Sequence, residues 1–366
     1  MKFETLKEKI VGALGSVERS TGKNSSLPII ESVLLEVNSS GLVFKATNLD
    51  IGVEAKAPAK VESEGQIVFS GKTLLSYLNN FKDDEVIKFS LENDLLKIIS
   101  GKSKVSIKVS KTDDFPIIPR IQDGGTGSID SGIIQEGFKA VLFACGVSSM
   151  KPELSSVYMY SLNNDLIWVA TDSFRLAEKK IQTKQKVNNI SVLIPFKNIT
   201  EIIRILEKVE GDVEIKYNQH QISFTTKDFY IVSRVVDGVF PNYKQIIPTT
   251  VKSKAIVLKN DFMQALKTTN IFSDKFNNIN IKISPKEKSL VISSKNNDIG
   301  DSVYAIDASI EGEEETLNFN HRYVSDVVLV IKQNSVSIEL TGAGKPLVIK
   351  GSEDDSYLYI VMPMNK

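Results

Sequence analysis

The side chains here with the reactivity for catalysis or metal binding are two histidines, one cysteine and several acidic runs. His220 and His321 lie too far apart to form an HExxH pair, and a single cysteine cannot complete a Cys/His zinc set or an intramolecular disulfide. Cys145 ends the apolar, helix-like stretch Phe138 to Cys145, so it is expected to be a buried, inert thiol rather than a nucleophile. The carboxylates of Asp83-Asp84-Glu85 and of Glu311 to Glu315 sit among polar, turn-like residues and read as solvated loops. Gly15 and Gly22-Lys23 have the wrong spacing for a phosphate-binding loop, and neither GxGxxG nor GxSxG occurs. The expectation is a protein that is not an enzyme, with no catalytic residue, no metal and no cofactor.

The chemistry must then lie in surfaces, and the elements that build them recur. Residues 67 to 81 read as a short strand running into an amphipathic helix. The design returns at Ile194-Pro195-Phe196-Lys197 and at Phe319-Asn320-His321-Arg322. A basic residue opens each helix, and Lys72, Lys197 and Arg322 are 125 and then 125 residues apart. Period-two strands follow at 86 to 91, 213 to 217 and 336 to 340. Amphipathic windows at 5 to 20, 132 to 148 and 260 to 275 precede further strands. Polar turns at Thr47-Asn48-Leu49-Asp50, Thr171-Asp172-Ser173-Phe174 and Ser294-Lys295-Asn296-Asn297 are 124 and 123 apart. Three α+β repeats, each with two helices and antiparallel strands, account for this spacing. Their expected bounds are 1–120, 128–248 and 253–366, with linkers near 118 to 128 and 248 to 254.

Composition sets the outer limits. A chain of 366 residues exceeds one ordinary core, and 42% apolar with 25% charged residues is the balance of a folded, soluble chain. No run of about 18 apolar residues occurs, and acidic residues follow the initiator Met1 at once, so a cytoplasmic protein without a membrane partner is expected. Asn38 and Asn198 then sit in accidental sequons.

Forty-five Lys and Arg balance forty-five Asp and Glu, yet the six helical windows hold 14 basic against 8 acidic residues. A mildly basic helical surface, with Lys7, Arg19, Lys23, Lys72, Lys139, Lys197, Arg204 and Lys267, could meet phosphates without reading bases. Six helices side by side at roughly 10 Å spacing enclose a hole of about 9 Å, too narrow for a duplex of roughly 20 Å. Twelve helices from two copies enclose one close to 30 Å by the same spacing, wide enough to hold DNA by encirclement.

Several motifs, in this order, carry a resemblance over essentially the whole length. They are Met1-Lys2-Phe3, Leu27-Pro28-Ile29, Ala46 to Asp50, Ala170-Thr171-Asp172-Ser173-Phe174-Arg175-Leu176-Ala177, Val236 to Tyr243 and Tyr359 to Met364. The chain resembles the bacterial DNA sliding clamps, the beta subunits of DNA polymerase III. That resemblance implies three clamp-type domains, two subunits forming a closed ring, and DNA contacts by helix-borne cations such as Lys23, Lys72 and Lys197. It also implies a groove for short peptides, which carries over to Leu154, Thr171, Ser173, Phe174, Arg175, Leu176, Pro241, Ile246, Asn320, Tyr323, Ile360, Met362 and Met364. Apolar residues and flexible Met suit a site shared by several partners. The family usually has Gly-His at Ser173-Phe174 and a basic residue at Gln245, so a more apolar, less charged wall is expected.

The implied homodimer interface joins the first domain to the third at Ile107, Val109, Ile271 and Phe272. The implied partners are duplex DNA without sequence preference, a second copy of the chain, a replicative polymerase, a clamp-loader ATPase and other proteins with clamp-binding peptides. An enzyme of another type lacks the residues it would need. An interaction scaffold without DNA is disfavoured by the basic bias of the helices, and retention on circular against linear DNA separates the two.

Overall fold

Each window of apolar periodicity forms a helix in the computed structural model, which describes residues 1–23, 26–148, 150–183, 187 and 189–364. The helices are α1 (Lys7–Val17), α2 (Gly71–Leu78), α3 (Ser131–Val141), α4 (Phe196–Leu206), α5 (Lys259–Asn270) and α6 (His321–Val330). Burial follows the pattern: Ile199, Ile202, Ile205 and Leu206 of α4 are fully buried, whereas Lys197 and Thr200 face solvent. Lys72, Lys197 and Arg322 are each the second residue of their helix, and all three are exposed. Ser70 and Asn320 cap α2 and α6 by accepting the amides of Thr73 and Arg322.

The chain builds two compact units, residues 1–135 with 185–237 and residues 136–184 with 238–366, so the middle repeat contributes to both. In the first unit a five-stranded antiparallel sheet runs in the order Lys60–Ser63, Lys2–Leu6, Val86–Glu92, Leu95–Ser100, Ser103–Lys108. A larger sheet of this unit runs Gly125–Asp130, Asp212–Tyr217, Gln221–Thr225, Phe229–Arg234, Ile51–Ala57, Gly41–Thr47, Val33–Asn38, Gly65–Phe69. At its centre Ile231 stands opposite Val53, both buried.

The second unit repeats that plan. A four-stranded sheet runs Gly300–Asp307, Ser289–Asn296, Asn278–Ser284, Glu315–Asn320. Eight further strands are hydrogen-bonded in the order Ser156–Leu162, Asp165–Thr171, Arg175–Gln182, Tyr357–Val361, Leu347–Gly351, Ser335–Leu340, Ser253–Leu258, Ser309–Gly312. Ala177 stands opposite Tyr359, both buried, at the position corresponding to the Val53–Ile231 pairing. Trp168 is fully buried beneath α3, and a Cβ on Gly137 would come within 2.3 Å of its ring, so this helical position requires glycine.

The first two of the recurring turns are one physical object, whereas in the third the Ser294 hydroxyl bonds the Thr269 carbonyl instead. Thr47 Oγ1 donates to the Ile51 carbonyl and accepts the Leu49 amide, while Asn48 Oδ1 accepts the amides of Asp50 and Ile51. Thr171 and Asp172 make the same four bonds to Arg175, Ser173, Phe174 and Arg175. The third turn residue is left-handed in both, with φ of 76° at Leu49 and 79° at Ser173.

Three expectations need correction. The segment 118 to 128, which joins the first two repeats, is packed along its course: Ile118 and Ile121 pack with Tyr230 and Val232, and Arg120 stacks on the Tyr230 ring at 3.6 Å. Gly125 to Gly127 already belong to a strand, and a Cβ at Gly125 would strike Tyr217 at 2.2 Å. Lys7 does not contribute to an exposed basic surface, because it is buried and its ammonium bonds Asp83 at 2.5 Å, which ties that supposed loop carboxylate to α1. The acidic run 311 to 315 spans the end of one strand and the start of the next.

Candidate partner groove and nucleic-acid interface

Arg175 is the organising side chain of the second unit's candidate site. Its strand presents it to α6, where its Nη1 meets Asp326 at 2.6 Å, while its Nε meets Asp172 at 2.9 Å. The guanidinium also lies over the Tyr323 ring at 4.5 Å and near the Phe143 ring at 5.6 Å. Only 11% of the side chain is exposed, so its charge is matched by two carboxylates and two aromatic faces rather than offered to a ligand. Tyr359, itself buried, donates its hydroxyl to the Tyr323 carbonyl and packs against Phe143.

Around this post the predicted residues divide by role. Phe174 is 61% exposed, and Ile246 and Met362 are also exposed large apolar side chains. Leu176 and Ile360 are each 1% exposed, so they support the surface from the core beneath it. Thr171 is buried with its hydroxyl occupied by the turn, and Asn320 is occupied in capping α6 and in bonding the Phe276 carbonyl. The amide of Met362 donates to the Phe174 carbonyl, and that of Met364 to the Asn318 carbonyl, each at 2.8 Å. Leu154 accepts the Gly146 amide at 2.8 Å on a separate loop, and Pro241 precedes the turn Tyr243–Ile246. That turn is anchored by Tyr243, whose phenol bonds Glu178 and lies 2.8 Å from the Tyr160 hydroxyl; burial, then the Glu178 bond, pushes its pKa upward.

The sequence reading missed Asp172, Asp326, Phe143 and Asn318. Asp172 was accessible in principle, since an Asp followed by two residues whose amides it can accept is a turn signal. Asp326 lies 151 residues from Arg175, and no local pattern joins them. Cys145 is buried as expected, and burial pushes its thiol up to about 12.

The basic candidates Lys23, Lys72 and Lys197 all belong to the first unit and are exposed, but only Lys72 and Lys197 are borne by helices; Lys23, expected on one, lies beyond α1 and the short turn Glu18–Ser20, because α1 stops at Val17. Arg204, by contrast, is turned inward: it pairs with Glu201 and donates to the carbonyls of Gly15 and Ser16, neutralising the C-terminal end of α1. In the strand Ser103–Lys108, alternation turns Ile107 into its own core, with Lys104, Ser106 and Lys108 outward. Val109 lies just past that strand and is half-buried. Ile271 closes α5 and is 66% exposed, beside a half-buried Phe272.

A repeated α+β plan with paired helices and antiparallel sheets, carrying an apolar turn-and-tail surface, is the architecture of sliding clamps. Models of the N-terminal, central and C-terminal domains of the DNA polymerase III beta subunit match residues 1–119, 128–242 and 244–365. A beta sliding clamp of Bacillus subtilis is 27% identical, with 100% of this chain and 99% of that one covered. The crystal structure of the Thermotoga maritima DNA polymerase III beta subunit superposes with a TM-score of 0.93 at 28% identity, covering 100% of this chain and 99% of the other. A sliding clamp of Pseudomonas aeruginosa bound to griselimycin has the same fold, with a TM-score of 0.95 at 24% identity and full coverage of both chains. The chain belongs to the DNA polymerase III beta-subunit family, and its function is that of a DNA sliding clamp.

Proposed function

We propose that two copies of the chain close head to tail into a ring around duplex DNA and tether a replicative polymerase through the surface built on Thr171 to Leu176 and Ile360 to Met364. The observation that supports this best is a pair of sheet edges. Ser103–Lys108 ends the five-stranded sheet with Lys104 and Lys108 outward, and Gly300–Asp307 ends the four-stranded sheet with Asp301, Val303 and Asp307 exposed. Joined between two copies, these edges would complete their main-chain bonds and bring lysines toward aspartates. Ile271 and Phe272 would add apolar contact. Residues 1–120, 128–248 and 253–366 are the three domains of this reading.

Lys23, Lys72 and Lys197 would meet phosphates and read no bases. The groove would take apolar peptide anchors, because its arginine is already engaged by Asp172 and Asp326 and Phe174 presents an aromatic face. Other peptide-bearing proteins would use the same site, and ring opening would fall to a clamp-loader ATPase in the cytoplasm, since the clamp itself has no phosphate-binding loop. The test is retention of loaded protein on nicked circular DNA. Rapid release on linearisation is expected; equal release from both forms would refute encirclement, and ATP hydrolysis by the purified chain would refute dependence on an external opener.

A further inference from the structure

Glu54 in the first unit and Glu178 in the second are buried carboxylates on corresponding strands, 7% and 3% exposed. Each stands seven residues beyond the threonine of its turn, Thr47 or Thr171. A segment leading out of the same repeat crosses each of them. In the first unit Phe115 packs on Leu34 and Val68, and Arg120 bonds Glu54. In the second Phe240 stacks on Tyr158 at 5.2 Å, and the Tyr243 phenol donates to Glu178. Tyr158 is the counterpart of Leu34, since it is 124 residues further on, as its cross-strand partner Val169 is from Lys45. The third repeat supplies the contrast. Ser293, another 124 residues beyond Val169, faces Val303, which is 68% exposed and has no such segment across it among the described residues. A carboxylate is present where an outgoing segment crosses the sheet and absent where none does.

What the second segment carries gives its anchor a use. Among the described residues, Tyr243 is the only buried member of the turn Tyr243–Ile246. Its phenol also makes the only hydrogen bonds from 238–251 to other elements, to Glu178 and to the Tyr160 hydroxyl at 2.8 Å. Ile246, 48% exposed, closes that turn. The second oxygen of Glu178 meets Lys180 at 3.0 Å, so the carboxylate stays charged and its bond to the phenol is of the stronger, charge-assisted kind. We propose that Glu178 is a positioning residue of the partner groove: by accepting the Tyr243 phenol it fixes the turn that presents Ile246, and it raises affinity for apolar peptides without touching them. The role rests on the reading of 171–176, 241–246 and 360–364 as a peptide groove.

The test titrates the full-length protein with a fluorescein-labelled decapeptide carrying leucine and phenylalanine anchors, read by anisotropy. Glu178→Leu and Tyr243→Phe are each expected to weaken binding by about fivefold or more, the scale of one lost hydrogen bond to a charged group. The double variant should bind within about twofold of either single, because both changes remove the same bond. Glu178→Gln keeps an acceptor for the phenol and is expected to stay within about threefold of the parent. Glu54→Leu removes the matching anchor in the first unit and should leave peptide affinity within about twofold, which separates positioning from a general loss of stability. Limited trypsin digestion needs no peptide: cleavage after Lys244 should quicken in Glu178→Leu and cleavage after Arg120 in Glu54→Leu, each without the other. Equal loss of affinity in Glu54→Leu and Glu178→Leu, or unchanged cleavage after Lys244, would overturn the proposal. Peptide binding that the Glu178→Leu and Tyr243→Phe variants leave intact would refute this role alone. No binding by the parent protein would refute the groove reading, and the role with it.

Discussion

The amide of Met362 donates to the carbonyl oxygen of Phe174 at 2.8 Å. The C-terminal tail therefore continues the strand Tyr357–Val361 directly onto the turn that presents the exposed Phe174 ring. Arg234 makes the same bond to Asp50 at 2.8 Å in the first unit, so the junction is a repeated feature of the fold. What differs is its dressing. Phe174 and Met362 are exposed apolar groups in one copy, whereas Asp50 and Arg234 are charged in the other, and only the former suits an apolar peptide.

Removing Met362 to Lys366, of which Asn365 and Lys366 lie outside the described residues, takes away one wall of this surface and two main-chain bonds. A partner peptide with two leucine-sized anchors, each contributing roughly 1.5 to 3 kcal/mol, should bind the intact protein at about micromolar strength. Peptide titration by fluorescence anisotropy should show that affinity lost in the truncation, with sedimentation still reporting a dimer. Undiminished affinity would place the groove elsewhere.

Ser173 holds φ at 79°, a conformation that costs an L-residue roughly 1 to 2 kcal/mol, against the roughly 0.4 to 1 kcal/mol of chain entropy that a glycine adds to the unfolded state. The strain is the larger quantity, so Ser173→Gly is expected to stabilise the chain by about 0.5 kcal/mol in urea unfolding. A destabilised variant would mean that the serine hydroxyl makes a contribution this balance omits.

Ile271 is exposed at the end of α5 and serves no core of its own, so changing Ile271 and Phe272 to Ala should shift the protein to monomer in sedimentation while near-native circular dichroism is kept. A variant that remains dimeric at low micromolar concentration would remove this pair from the interface.

Cys145 should be silent. Its thiol is pushed up to about 12 by burial, so a disulfide exchange reagent at pH 8 should find no reactive thiol in the folded protein and one per chain in guanidinium. The native state keeps a proton that the unfolded thiol releases near its ordinary value of 9.0, so this group favours folding less and less as pH climbs from 9 toward 12. A rapidly labelled native thiol would contradict the burial.

Exchanging Lys72 and Lys197 for Ala should lower the salt slope of duplex binding by close to 2, at roughly 0.9 per phosphate contact, without changing sequence preference. An unaltered slope in filter binding would show that neither lysine meets the backbone.

The six helices and the threefold repetition were legible because apolar spacing is a local property, and so were the turns at Thr47 and Thr171, whose bonds close within four residues. Illegible features depended on distant partners. Gly125 is glycine because the Tyr217 ring occupies the space a Cβ needs, and Lys7 is buried because Asp83 receives its charge. The same holds at the groove. The motifs carry Phe174 and Met362 to the proposed groove, but that Arg175 is consumed by Asp326 follows only from the meeting of a strand with α6.

The division of the middle repeat between two units has a consequence for the order in which the protein is made. The strand Ile51–Ala57 acquires its second neighbour, Phe229–Arg234, only after the ribosome has added about 170 further residues, roughly 9 to 35 seconds of synthesis at common rates. Throughout that interval the nascent chain displays an open edge beginning Ile51, Gly52, Val53 and carrying Glu54 and Lys56 among its apolar residues. Those two charges, which end as ordinary members of a finished sheet, fall where they would discourage neighbouring nascent chains from pairing with it first.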